Sequence, residues 1–218
     1  MVRMFDRPAS EPRWPALMAA IAVGILYYVI PKQLTIGPGW LLFALTASLF
    51  SASFFFYRRS SVQLNEGFSY AGMAVITLAL VASLSLLIMR LPGRKDPPVE
   101  LLRAAGALWV SNILVFASWY WRLDGGGPNE RDKRGVHTDG AFLFPQMLMD
   151  QSQRRQMREA CWSPGFVDYL FIAFNTSTAF SPTDVPVLSR WAKAMMIVQS
   201  LISLATVVLV AARAVNIL

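Results

Sequence analysis

Gly165-Phe-Val-Asp-Tyr-Leu-Phe-Ile-Ala-Phe-Asn-Thr-Ser-Thr-Ala-Phe180, followed by Ser181-Pro-Thr-Asp-Val-Pro186, is the stretch on which the fold turns. Its first half is apolar from Tyr169 to Phe174, and its second half carries Asn175, Thr176, Ser177, Thr178 and Ser181 in close succession. The continuous apolar run is far shorter than the roughly 20 residues that cross a bilayer. Pro182 and Pro186 break any helix that reaches them. Irregular backbone at membrane depth is tolerated only where protein or a water-filled cavity surrounds it. The pattern predicts a re-entrant half-helix followed by an extended polar return, with a short tilted span ending in a polar turn as the alternative.

Outward from this stretch, the chain reads as membrane protein. Of its 218 residues 55% are hydrophobic and 15% charged, and the mean hydropathy is +0.44. A soluble chain is less apolar and nearer a quarter charged. Disorder is thereby excluded, and an ordinary soluble enzyme domain is not the expectation. Seven Trp and a net charge of +7 fit interfacial aromatic anchors and basic loops. They fit a nucleic-acid binder less well, because the basic residues are scattered among apolar runs instead of forming one face.

Four apolar runs precede the polar centre: Trp14 to Ile30, Trp40 to Tyr57, Ala71 to Met89 and Leu101 to Trp121. The first has a basic flank (Arg3, Arg7, Arg13) but no small-residue cleavage site after it, so it reads as a retained anchor. A fifth run extends from Trp191 to Leu218. The predicted fold is all-α, with five transmembrane helices plus the re-entrant segment, or six spans if that segment crosses. The organisation is then 1–121 as a four-helix membrane region, 122–164 as a polar extramembrane loop, and 165–218 as the re-entrant helix, its turn and the final helix.

The polar loop opens on Asp124-Gly-Gly-Gly-Pro128. No Lys-Ser or Lys-Thr follows the glycines, so they are a turn and not a phosphate loop. Asp124, Asp139 and Asp150 read as solvated loop charges. Gln146 to Ala160 reads as a short basic helix, either solvated or lying on anionic headgroups. With one Cys and one His, disulfide frameworks and multi-histidine metal sites are excluded. His137 and Cys161 share the loop, the one pair with nucleophile chemistry, and no nucleotide or redox motif accompanies them. No enzyme, cofactor or metal site is expected.

In the last run Ala192, Met196, Gln199, Ser203, Thr206, Val210 and Arg213 recur at alternating spacings of four and three. That places Gln199, Ser203, Thr206 and Arg213 on one helix face. Such a face is either glue between packed helices or the wall of a water-filled path. Arg213, near the end, can snorkel.

The order of half-helix, Thr-rich turn, Asp, Pro, basic residue and long final helix resembles the pore module of tetrameric potassium-type channels. Thr176, Thr178 and Asp184 match its Thr-x-Thr-Thr-Val-Gly-Tyr-Gly-Asp pattern, and Val185-Pro186 with Arg190-Trp-Ala-Lys193 is similar to its entry to the inner helix. Ser181 and Thr183 stand at the two filter glycines and Pro182 at the tyrosine. Ser and Thr reach glycine backbone angles only at a cost.

The whole chain also resembles an uncharacterised family of bacterial multipass membrane proteins. That likeness rests on Asn112-Ile-Leu-Val-Phe, Trp119-Tyr-Trp-Arg-Leu-Asp124-Gly-Gly-Gly-Pro128, Phe142-Leu-Phe-Pro-Gln-Met147, Thr178-Ala-Phe-Ser-Pro-Thr-Asp184 and Ala211-Ala-Arg-Ala-Val-Asn-Ile-Leu218. It implies a bacterial cytoplasmic-membrane location and no particular activity.

Two functions follow as expectations. In one, several copies, four by the channel resemblance, enclose a pore for monovalent cations. Thr176, Thr178, Ser181 and Thr183 offer oxygen ligands, Asp184 a ring of charge at the mouth, and Gln199, Ser203 and Thr206 the deeper wall. In the other, a non-conducting membrane module binds a protein or lipid through its long loop, with Asp168 and Asp184 pairing to Arg190 or Lys193. The basic-residue count puts the N-terminal side in the cytoplasm, opposite to what the channel resemblance implies.

Overall fold

The computed structural model describes residues 11–59, 62–90, 97–134, 137, 139–156, 162–179 and 185–215. Among these the fold is all-helical. The long elements are α1 (Trp14–Val29), α2 (Gly39–Arg58), α3 (Val62–Arg90) and α4 (Pro98–Leu123). Short helices α5 (Pro128–Arg134), α6 (Pro145–Leu148) and α7 (Gln151–Gln156) follow, then α8 (Phe166–Thr178) and α9 (Arg190–Val215).

Four helices, α2, α3, α4 and α9, are long and apolar enough to cross a membrane. α1 is apolar but has 16 residues, about 24 Å at 1.5 Å per residue. α8 has 13 residues, about 20 Å on the same rise.

The helix limits differ from the hydropathy limits where polar residues find partners. α3 begins at Val62, not Ala71. Its polar first turns hold because the Ser53 hydroxyl on α2 lies 2.6 Å from Asn65 Oδ1 and 2.6 Å from the Ser69 hydroxyl. The predicted basic helix from Gln146 to Ala160 is instead α6 and α7, interrupted at Met149 and Asp150. The Asp150 carboxylate caps α7, accepting from the Gln153 N–H at 2.8 Å and the Ser152 hydroxyl at 2.6 Å, so the helix restarts there. Residues 157–161 lie outside the described residues.

Chain contacts divide the molecule into two compact units. One is drawn from Met1–Met18 and Phe116–Ser200, the other from Ala19–Val115 and Leu201–Leu218. In the second, α2 and α3 form an antiparallel hairpin. Phe56 stacks on Phe68 at 5.3 Å, and the Phe50 ring lies where a Cβ on Gly72 would be. α1 approaches α2 closely through Gly24, where a Cβ would come within 2.8 Å of the Phe43 ring. Trp109 Nε1 of α4 donates to the Ser203 hydroxyl of α9 at 3.0 Å. The Thr46 and Thr77 hydroxyls donate back to their own turns, to Leu42 O at 2.8 Å and to Met73 O at 2.8 Å. That satisfies them without water.

The first unit is packed around Phe142. Its ring meets Tyr120 at 5.3 Å, Tyr169 at 6.0 Å and Trp191 at 6.3 Å. Phe144 extends this core to Tyr169 and Trp162.

Candidate functional site

The site is built where α4 ends. Gly125, Gly126 and Gly127 all have positive φ, at 58°, 81° and 88°, values that side chains with a Cβ rarely adopt. At Gly127 a Cβ would also sit 2.7 Å from the Arg122 carbonyl oxygen. The three glycines turn the chain within a 3-10 turn at Asp124–Gly126 and launch α5.

This turn buries Asp124, which is therefore not the solvated loop charge that its position in sequence suggests. Its side chain is inaccessible to water. It accepts hydrogen bonds from the Ala141 N–H and, at 2.7 Å, from the Tyr169 hydroxyl. His137 Nε2 lies 3.6 Å from Asp124 Oδ2. Asp139 and Asp150 are exposed, as read.

Arg131 of α5 is buried alongside. Its guanidinium donates to Trp121 O at 2.8 Å, to Asp124 O at 2.7 Å and to Glu11 Oε2 at 2.8 Å, and lies over the Tyr169 ring at 5.2 Å. Glu11 accepts a second bond from Trp121 Nε1. Burial pushes the Glu11 carboxyl above its ordinary range, against the opposing pull of Arg131. Asp132 accepts from the Glu11 N–H at 2.9 Å and from Arg13 at 3.3 Å. The segment before α1 is thus bound to the loop after α4.

From Asp124 the bonds lead to α8 and to the segment that returns to α9. Ala141, held by Asp124, begins a short antiparallel pairing of Phe142 with Val187. Leu143 N donates to Pro186 O at 2.9 Å and Leu188 N to Ala141 O at 2.8 Å. The start of α9 and the first turns of α8 therefore lie at one level. Gly165 N donates to Asp168 Oδ2 at 2.7 Å and opens α8.

Nine residues after the start of α9, Gln199 Nε2 donates to Ala173 O at 2.7 Å and to the Ser177 hydroxyl at 2.9 Å. Tyr169 and Trp191 flank Phe142, and Ala173 and Ser177 reach Gln199 further on, so α8 and α9 run in the same direction.

Of the residues singled out for a filter, Thr176 is buried and its hydroxyl donates to Ile172 O at 2.8 Å. Thr178 is exposed and donates to Phe174 O at 2.9 Å. Ser181, Thr183 and Asp184 lie outside the described residues, as does Cys161. The polar stripe of α9 falls on one buried face: Gln199, Ser203 and Thr206 are each 0% exposed. Gln199 Oε1 accepts from the Tyr120 hydroxyl at 2.6 Å, Ser203 from Trp109, and Thr206 donates to Ser203 O at 2.7 Å. The side chain of Arg213 is not described. Arg190 and Lys193 are exposed.

Sequence reasoning passed over Glu11, Tyr120, Arg131 and Tyr169. Tyr120 and Asp124 carry a readable signal: with Asn112 and Phe116 they recur every four residues, and all four are buried. Glu11 and Arg131 are 120 residues apart, and no local pattern joins them. Among the described residues no group of three or more His, Cys, Asp or Glu is placed to hold a metal ion. No protein-family model matches the chain, and neither a curated protein nor a solved structure matches it.

Proposed function

We propose that the protein is a multipass membrane protein whose α8 enters the bilayer part-way and whose copies assemble around a cation-conducting path. The observation that carries this reading is the direction of α8 and α9. A 13-residue helix and the final helix leave one level in the same direction, with the chain brought back between 179 and 190. A crossing helix followed by another crossing helix would run antiparallel to it. A half-helix whose chain returns before the next span supplies the parallel arrangement, the way irregular backbone is accommodated beside a cavity.

Span parity supports the same topology. Glu11 and Arg13 contact Trp121, Arg131 and Asp132, so the chain crosses an even number of times between them. α2, α3 and α4 are three, and α1 is the fourth despite its length. Five spans and one re-entrant helix result. One re-entrant segment cannot enclose an axis, so the path needs symmetric copies, four by resemblance to the potassium-type module. The path is lined by the stretch from Thr178 to Asp184.

A second reading, a non-conducting module that binds a partner through its loop, is favoured by one observation. Gln199, Ser203 and Thr206 are buried within the chain and hydrogen-bonded there, which suits helix–helix glue better than a wetted wall.

Current through planar bilayers containing the purified protein, under potassium, sodium and chloride gradients, separates the two. A pore gives unitary cation currents whose selectivity changes in Asp184→Asn. Silence from folded, oligomeric protein across pH and voltage would leave the binding module.

A further inference from the structure

Glu11, Asp124, Arg131 and His137 form a buried ionisable set whose charges do not balance. Their side chains are 6%, 0%, 1% and 2% exposed respectively. With the carboxylates ionised, Arg131 cationic and the imidazole neutral, the set carries one uncompensated negative charge, which is costly away from water. Arg131 Nη1 and Nη2 donate to the Trp121 and Asp124 carbonyls and to Glu11, so the guanidinium reaches the Asp124 backbone and not its carboxylate. His137 Nε2 has no hydrogen-bond partner and lies 3.6 Å from Asp124 Oδ2.

We propose that His137 and Asp124 form a proton-binding pair that fastens the re-entrant helix α8 and its return segment to the end of α4. Protonation of His137 brings the set to neutrality. An approach of roughly half an ångström then places Nε2–H within hydrogen-bond range of Oδ2, which keeps a lone pair for it beside the Tyr169 hydroxyl. The carboxylate that receives this bond is the one that holds Tyr169 of α8 and Ala141, beside the Phe142–Val187 pairing. Acidification therefore tightens both connections.

Among the described residues, the groups facing His137 come from several elements. Asp124 faces it from the end of α4, and Gly125 lies between it and Arg131 of α5. Tyr169 reaches the same carboxylate from α8, and Glu11 reaches the set through Arg131. The Phe144 and Trp162 rings meet the imidazole in T-shaped contacts at 6.4 and 6.3 Å. Asp139, on the same loop, is exposed. Among the described residues of the set, the Glu11 carboxyl is the competing site for the proton.

The proposal rests on the re-entrant reading of α8 but not on conduction, and its test needs no current. His137 is the chain's one histidine, so the full chain in detergent with labelled histidine gives a single imidazole resonance. The expected result is a move of that resonance to its protonated position on acidification, with amide-exchange protection of 166–179, corrected for intrinsic rate, rising about tenfold together with it. The rise disappears in His137→Gln and persists in Glu11→Gln. A folded protein whose imidazole does not titrate overturns the proposal, and that measurement needs no variant. So does protection of α8 that ignores pH, survives His137→Gln, or is lost in Glu11→Gln alone, which assigns the proton to Glu11.

Discussion

The Tyr120 hydroxyl donates to Gln199 Oε1 at 2.6 Å, and both side chains are shut off from water. Through this bond α4 and α9 are joined, and Gln199 Nε2 extends the junction to Ala173 and Ser177 of α8. One amide thus saturates its acceptor and both donor directions within the bundle. Tyr120→Phe removes one partner and is expected to cost about 1–2 kcal/mol, whereas Gln199→Leu strands three groups and is expected to cost about 2–4 kcal/mol. A double-mutant cycle by denaturant unfolding in mixed micelles checks the pair. Additive losses would show that the two side chains do not interact.

Arg131 and Glu11 form an ion pair with side chains 1% and 6% exposed. Breaking a buried pair from one side leaves a bare charge behind. Arg131→Met is therefore expected to destabilise the first unit by about 3–5 kcal/mol, and Arg131→Met with Glu11→Leu by appreciably less. Thermal unfolding of the two variants beside the parent makes the comparison.

The Glu11 carboxyl is held above its ordinary value of 4.5 by burial, which outweighs the attraction of Arg131. The folded protein then keeps a proton at pH values where the unfolded chain has released it. Stability is highest below 4.5 for this group, falls as pH rises from there through the raised folded value, and is level above it. Glu11→Gln removes that descent. Melting temperature against pH for parent and variant shows whether the slope in this window belongs to Glu11.

At Gly127 a φ of 88° and a backbone oxygen 2.7 Å from any added Cβ act together. Gly127→Ala is expected to cost about 2–3 kcal/mol through left-handed strain and displacement of Arg122. Gly106, with open space around it and ordinary helical backbone, is the control. Gly106→Ala is expected to be neutral or stabilising by up to about 1 kcal/mol.

Contacts of Glu11 and Arg13 with α5 require that the N-terminal segment and the loop share a side. Single cysteines at Arg13 and Lys133, in a Cys161→Ala background, are expected to react with an impermeant thiol reagent from the same face of sealed vesicles. A cysteine at Lys32, after α1, is expected to react from the other. Labelling of Lys32 from the Arg13 face would remove α1 as a crossing helix.

Long apolar runs are written into local composition, because each must match the bilayer thickness on its own. That is why α2, α4 and α9 begin and end within a few residues of their hydropathy limits. The four-three recurrence of Ala192, Met196, Gln199, Ser203 and Thr206 was equally legible, since helical period alone fixes a shared face.

What that face touches was not legible. Tyr120, Trp109 and Ser177 come from elsewhere in the chain, and periodicity carries no address for a partner. Asp124 makes the same point more sharply. Beside three glycines and in a charged loop it reads as solvated, and only the fold shows Tyr169 and the Ala141 amide closing over it while Arg131 holds its backbone oxygen.

Sequence by itself determined that this is an all-helical chain with helices long and apolar enough to cross a membrane, and one short apolar segment followed by polar residues and prolines. Tertiary structure decided that the short helix runs parallel to the last one, and that the N-terminal segment is bound to the central loop. The reason is physical. Apolar length is a property of consecutive residues, but a buried charge is tolerable only where distant residues supply its hydrogen bonds, and those meet only in the folded chain.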